Sequence, residues 1–461
     1  MAQLVVGDRF ILDIKRLGIN GEGIGFYNKM TIFVKNAIPG EGVDVEVTEV
    51  LPKMAKAKIL DFKHKSAQRV EPKCPYYENC GACQTMHIDY NKMCDFKRDA
   101  VIEALNRYTT INTKSFEIKK TIGMDNPFGY RNKNAVSLFK NSGKTSIAML
   151  QDDSNEWLKV DSCLVLNDKL NEANKKILEA IDELGIPLYN VKYHRGVIRY
   201  LVTRISFKTN EIQVCLVCLE KTNKIKELAN KLLEIPNVVS VYENFNEARK
   251  GMIFGDQTNH IAGKEYIVEQ IGNIKYNLTP TTFFQLNPIQ TEKMYETIKK
   301  AAKLSFKETI LDAYCGVGTI GLYLAKNAKE VIGVEYNKDS VLRARENAKL
   351  NKINNASFYQ GDARELIPHI MKEKNFDIVV LDPPRVGLGE ELCHDLLSYE
   401  IKKIIYVSCN PSTLAKDLEI LKQKYNINSI QPIDMFPNTS AVESVCALSL
   451  LADRTLSKDK K

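Results

Sequence analysis

Apolar and polar positions alternate in short runs along the first sixty residues. Arg9-Phe10-Ile11-Leu12-Asp13-Ile14, Thr31-Ile32-Phe33-Val34 and Val43-Asp44-Val45-Glu46-Val47 are separated by glycine-rich turns at 21–25 and 39–42. A period of two broken by such turns predicts about five short strands, enough for a small OB-like β-barrel over residues 1–62. Between 63 and 275 strand-like runs mix with helical stretches at Asn91–Arg107, Asn167–Leu184 and Asn223–Leu233, an α+β central domain. From 276 to 455 strand and helix alternate, the signature of a parallel, doubly wound, Rossmann-like α/β domain. Residues 456–461 read as a charged tail.

Composition narrows the classes. The chain has 461 residues, 44% apolar and 26% charged, as a globular protein has. No apolar run approaches the ~18 residues of a membrane span. Charge comes too early in Met1–Phe10 for a signal-peptide core, so a cytoplasmic protein without membrane contact is expected; a monomer is expected as well. Lys and Arg exceed Asp and Glu, 65 to 57, a net charge of +8. That excess permits a polyanionic partner, and Lys53, Lys56, Lys58, Lys63, Lys65 and Arg69 form a basic trail behind the barrel. Tyr130-Arg131-Asn132-Lys133 and Arg195–Tyr200 mix cations with aromatics, which suits RNA backbones and stacked bases and equally suits exposed strand edges; Arg131 and Lys133 are the substrate contacts expected there.

Eleven cysteines in such a chain point to metal binding or catalysis before disulfides. Cys74, Cys80 and Cys83 fall in one turn-rich loop and can converge on a single cluster. A fourth ligand must come from elsewhere; Cys163 is the first candidate and Cys94 the second. Four thiolates suit zinc or iron and sulfide, and the three-plus-one spacing favours [4Fe–4S] over paired zinc knuckles. Cys215 and Cys218 are excluded, because positions i and i+3 of a strand face opposite sides.

In the α/β region, Thr309–Ala313 is followed by Gly316-x-Gly318-x-x-Gly321 and a helix start. Glu335 ends the next strand, where an acid accepts ribose hydroxyls. Asp362 follows the third strand and can meet an adenine amino group. Asp382-Pro-Pro-Arg385 ends the fourth, and Ser408-Cys409-Asn410-Pro411 ends the fifth. Asp312, just before the glycine loop, suits no pyrophosphate neighbour but tolerates a sulfonium, so the cofactor expected is S-adenosylmethionine (SAM). Cys409, on the rim of such a sheet, is a candidate nucleophile.

Together these residues resemble the RNA (uracil-5-)-methyltransferase family, in particular its 23S rRNA branch, which joins a TRAM barrel to an iron–sulfur cluster. The resemblance covers nearly the whole chain, including Phe283-Phe284-Gln285-Leu286-Asn287 and a late acid, Glu443. It implies SAM contacts at Gln285, Tyr314, Glu335 and Asp382, with Gly316 and Gly318 in the loop, a nucleophile at Cys409 and a general base at Glu443. Ala441 stands where the family usually has histidine, and Gly-Ala-Cys replaces Gly-Gly-Cys at the cluster. If 281–285 is a strand, Thr281, Phe283 and Gln285 share a face, so Phe283 can stack on a flipped base while Gln285 holds SAM. A tRNA substrate, a cytosine-5-methyltransferase and a non-catalytic rRNA-binding factor are the rival readings.

Overall fold

The computed structural model describes residues 4–152, 154, 156–249 and 251–451; the tail at 456–461 lies outside them. The chain forms two compact units. The first is drawn from residues 1–125, 383–400 and 406–461, the second from 126–382 and 401–405. Among the described residues no helix is long and apolar enough to cross a membrane.

The first unit opens with the barrel, six strands from Arg9 to His64, the expected set plus the two-residue strand Arg16–Leu17. Alternation sets its two faces. Val43, Val45 and Val47 join Leu12, Ile32 and Val34 inside, while Glu46 on the outer face pairs with Lys58 at 2.7 Å. The cysteine loop follows, then the helix Tyr90–Tyr108, capped by Asp89 on the Lys92 N–H. The later part of this unit contributes the end of the strand Lys403–Ser408, the helix Pro411–Leu421 and the antiparallel strands Tyr425–Ile433 and Glu443–Leu450. The short strand Glu117–Ile118 adds in parallel at the edge.

The second unit holds a seven-stranded mixed sheet from Lys133 to Gly263, whose helices Asp168–Glu183 and Lys224–Leu232 cover one face. In its strand Ile212–Cys218, Cys218 packs into that helix-covered core and Cys215 into a separate cluster with Val202 and Tyr242. The two thiols diverge, as the strand period requires. The unit continues with parallel strands in the order Ala356–Gln360, Glu330–Glu335, Thr309–Ala313, Ile378–Leu381, linked by helices. This is the expected Rossmann-like arrangement, and its strand ends carry the loops described next.

One expected element is absent. Residues 281–287 form no strand; they run as irregular backbone, with a turn at Thr281 and a bend at Leu286, before the helix Pro288–Ala302. Alternation survives without a sheet: Phe283 is 67% exposed and its neighbours Thr282 and Phe284 are buried. Side-chain donors and the Asn132 backbone N–H, not a sheet ladder, hold this segment, so the shared-face argument for Thr281, Phe283 and Gln285 loses its strand.

Candidate active site

In the second unit a small cleft gathers Phe283, Gln285, Tyr314, Gly316 and Asp382. Its floor is the glycine loop. Tyr314 (φ 64°), Gly316 (φ 56°) and Gly318 (φ 80°) all take left-handed backbone. Such strain at a tyrosine persists only where surroundings enforce it, and it clusters at functional sites. Glu335 enforces part of it, accepting the Gly316 N–H at 3.0 Å and the Asn337 N–H at 2.8 Å. At Gly318 a Cβ would stand 2.9 Å from the Phe358 ring, so no other residue fits without a shift. Buried Asp312 accepts the Gly321 N–H at 2.7 Å through Oδ2. Its Oδ1 is buried with no hydrogen-bond partner among the described residues. Burial pushes the Asp312 carboxyl up to about 8, with the charges of Asp382 and Glu335 adding to the effect. Burial likewise raises Asp382 to about 7, although its side chain keeps some surface on the cleft.

The segment bearing Phe283 and Gln285 is pinned through its carbonyls. Buried Arg204 donates to Thr279 O at 3.1 Å and Thr282 O at 2.6 Å. Lys133 donates to Pro280 O at 3.0 Å, and Asn132 donates to Gln285 O at 3.2 Å and Leu286 O at 2.9 Å. Arg131 Nε donates to Lys133 O at 3.1 Å. Burial lowers Lys133 to about 7. Charged groups on buried strand positions were the signal available for these anchors: Arg204 interrupts the apolar run Leu201–Ile205. Asp362 is not among the residues that line the cleft; it caps the helix Ala363–Glu373 and pairs with Arg364 at 3.1 Å.

Chemically, three carboxyl groups around the glycine loop oppose a diphosphate and suit a ligand carrying positive charge. The Asp382 carboxyl in the lining, the Asp312 and Glu335 carboxyls beside the glycine loop and the adjacent aromatic rings fit SAM, a cationic sulfonium nucleoside, better than a dinucleotide.

In the first unit, Cys409 stands partly exposed between its strand and the helix Pro411–Leu421. The turn is tightly specified. Asn410 accepts the Ser412 N–H as helix cap and donates to Arg385 O at 3.1 Å. Thr413 donates to the same carbonyl at 3.3 Å. Buried Asp417 accepts the Leu388 N–H at 2.9 Å and the Tyr406 hydroxyl at 2.6 Å. The loop after Asp382-Pro-Pro is thereby tied to the Cys409 turn, a role for Asn410 and Asp417 that local patterning does not reveal. Glu443 begins the last strand with 8% exposure. The loop before it is held by Lys97 and Tyr90 on Asp434, at 2.5 Å and 2.8 Å, and by the Gln84 and Thr85 N–H groups on Asn438 O.

Cys74, Cys80 and Cys83 are partly buried in the same unit, on a loop whose turns include Cys80 N–H to Tyr76 O at 2.8 Å. Cys163 belongs to the second unit, its N–H and C=O both held by the Asn171 side chain at 3.0 Å. Among the described residues no group of three or more His, Cys, Asp or Glu side chains is arranged to hold a metal ion. The thiol side chains of Cys74, Cys80, Cys83 and Cys163 suit an iron–sulfur cluster chemically.

Comparison with known proteins adds a second kind of observation. The family described as tRNA (uracil-5-)-methyltransferase matches residues 89–450, and the TRAM domain matches residues 3–60. An uncharacterized RNA methyltransferase of Halalkalibacterium halodurans is 42% identical over 451 residues, 97% of either chain. One from Clostridium tetani is 38% identical over 447 residues, 96% of either chain. Among solved structures, the Pyrococcus abyssi tRNA (uracil-54, C5)-methyltransferase in complex with S-adenosyl-L-homocysteine superposes with a TM-score of 0.77 at 29% identity, covering 95% of this chain and 99% of that one.

Proposed function

The chain belongs to the tRNA (uracil-5-)-methyltransferase family, and from that membership we propose that it methylates carbon 5 of a uridine in 23S rRNA through a covalent Cys409 adduct. The observation that carries this reading is a partly exposed thiol on a turn fixed by Asn410, at the carboxyl end of a strand. Gln285, Tyr314, Gly316 and Asp382 would hold SAM, with Glu335 and Gly318 shaping the loop and Asp362 on the adenine side. SAM bound there supplies an electrophilic methyl group to carbon 5.

The remaining work falls to this chain's side chains. Carbon 5 of uracil is a weak nucleophile. The Cys409 thiolate bonds to carbon 6, breaking the 5,6 double bond and placing negative charge on carbon 5 and oxygen 4. The positive end of the helix Pro411–Leu421 favours the thiolate that begins the step. Glu443 then takes the proton from the methylated carbon 5, the double bond re-forms, and the sulfur leaves as thiolate. Phe283, largely exposed on a pinned segment, is suited to stack on a uracil swung out of the RNA. Cys409→Ala is expected to abolish methyl transfer while SAM still binds, and RNA carrying 5-fluorouridine is expected to trap a covalent adduct with the wild-type chain. Methyl transfer by Cys409→Ala would sink the mechanism.

A tRNA substrate is the second reading, favoured by the Pyrococcus abyssi structure. Mapping 5-methyluridine in rRNA and tRNA from cells lacking the protein separates the two. We further propose a [4Fe–4S] cluster on Cys74, Cys80, Cys83 and Cys163, supported by the thiol-rich loop. Anaerobic reconstitution with counting of iron and sulfide tests it; four iron atoms per chain are expected, and Cys80→Ser should impair folding or RNA affinity before chemistry.

A further inference from the structure

From Leu184 to Asn210 the chain carries no Asp or Glu but five cations, Lys192, Arg195, Arg199, Arg204 and Lys208. Part of this stretch is a tight hairpin in the second unit. Tyr189 N–H donates to Ile198 O and Asn190 N–H to Arg195 O, both at 2.8 Å. The Tyr189 hydroxyl meets His194 Nδ1 at 2.8 Å, and Asn190 Oδ1 accepts the Tyr193 N–H at 3.2 Å. Gly196 sits at φ 110°, where a Cβ would stand 2.2 Å from Leu188 O. The hairpin is therefore fixed in shape, and its tip is open: Tyr193 is 58% exposed, with Lys192 and Arg195 exposed beside it. Arg195 lies 5.1 Å and Lys192 5.4 Å from the Tyr193 ring centre. Neither cation forms an ion pair among the described residues.

The tip connects through packed side chains to the cofactor cleft. Arg199 lies over the Tyr189 ring at 4.5 Å and donates to Asn246 Oδ1 at 3.3 Å. Asn246 holds the loop beyond it through Met252 O at 2.7 Å and Ile253 O at 2.8 Å, leaving Met252 83% exposed. The Phe254 ring of that loop lies 5.2 Å from Lys133 Nζ, which holds Pro280, three residues before Phe283.

The geometry points to the hairpin tip, with Tyr193 as stacking face and Lys192 and Arg195 as phosphate contacts, as a binding site for single-stranded RNA flanking the methylated uridine. An aromatic ring between two unpaired cations, preorganised on a rigid turn, is what binds successive bases and phosphates without reading sequence. The acid-free stretch excludes repulsion from the tip itself. This inference rests on the uridine-methylation reading but makes a separate demand, since it concerns flanking RNA and not the chemical step.

The test is fluorescence anisotropy of the full chain with a labelled single-stranded oligouridylate and with an RNA duplex, at several salt concentrations. Tyr193→Ala should weaken single-strand binding about tenfold or more and leave duplex binding little changed. Lys192→Ala with Arg195→Ala should lower the slope of log K against log salt by about 0.7 for each phosphate left without its cation. In methyl-transfer assays both variants should raise KM for RNA with kcat unchanged, and SAM affinity should stay at the wild-type value. Wild-type single-strand affinity in both variants overturns the site. So does an equal loss for strand and duplex by Tyr193→Ala. A wild-type chain that binds RNA through this tip yet methylates no uridine leaves the site standing and sinks the functional reading instead.

Discussion

At the scale of single residues, Asp382 in the cleft and buried Asp312 beneath the glycine loop make the site's pH behaviour predictable. Asp382 ionises near 7 and Asp312 near 8, both raised mainly by burial. Raised carboxyl values mean the folded chain keeps protons that the unfolded chain loses. These two groups therefore contribute stability below about pH 4 that fades as pH rises through 7 and 8. A cationic ligand reverses that pull, because it favours the ionised form. SAM affinity is therefore expected to rise between pH 6 and about 8.5, while the uncharged sulfur of S-adenosylhomocysteine gives a flatter profile. Asp382→Asn should weaken SAM and flatten its profile; calorimetry at several pH values measures both. Parallel profiles for the two ligands would count against a charge role for these acids. Glu443 carries a separate expectation. Glu443→Gln should permit thiolate addition and methylation but stall proton removal, so RNA-linked protein should accumulate on a denaturing gel with unmodified substrate. Wild-type turnover by that variant would remove Glu443 from the mechanism.

At the scale of elements, the chain divides into parts that advertise themselves and parts that do not. The helix expected at Asn167–Leu184 spans Asp168–Glu183, and that expected at Asn223–Leu233 spans Lys224–Leu232. Their apolar spacing and polar caps are local signals, and local signals survive folding. The glycine loop was legible for the same reason. The Phe283 segment was not, because alternation of buried and exposed positions reports extended backbone and says nothing of whether a partner strand exists. Its partners are Arg204, Lys133 and Asn132, which lie 75 to 154 positions away along the chain. Removing such a partner leaves carbonyls without donors, each costing about 1–3 kcal/mol where buried. Arg204→Met is accordingly expected to loosen residues 279–286, weakening SAM binding by roughly tenfold or more and speeding amide exchange there. Unchanged exchange would mean that the segment holds its course without the guanidinium.

For the whole molecule, the informative fact is that the first unit is assembled from three separate stretches of chain. Periodicity marks the barrel and the strand–helix alternation, but it cannot reveal that the loop leading to Glu443 is secured by a helix near the other end of the sequence. That link is the buried pair Lys97 and Asp434, separated by 337 positions and 2.5 Å apart. Lys97 also donates to Phe436 O at 3.2 Å, and Tyr90 donates to the second Asp434 oxygen. Both ions are fully shielded from water, so their attraction must offset a large desolvation cost, and the pair is weak evidence for net stability. Breaking it is another matter: Lys97→Met strands an ionised carboxylate in the interior, at a cost of about 3–5 kcal/mol. The thermal midpoint should fall by about three to five degrees, and methyl transfer should decline because the loop before Glu443 loses its anchor. Replacing both ions, with Lys97→Met and Asp434→Leu together, removes the stranded charge and should restore much of the midpoint. Activity need not return with it, since the Lys97 bond to Phe436 O stays broken and the Tyr90 bond to Asp434 is lost as well. Recovery of stability without recovery of turnover would identify the pair as a device for placing Glu443, whereas parallel recovery of both would reduce it to packing.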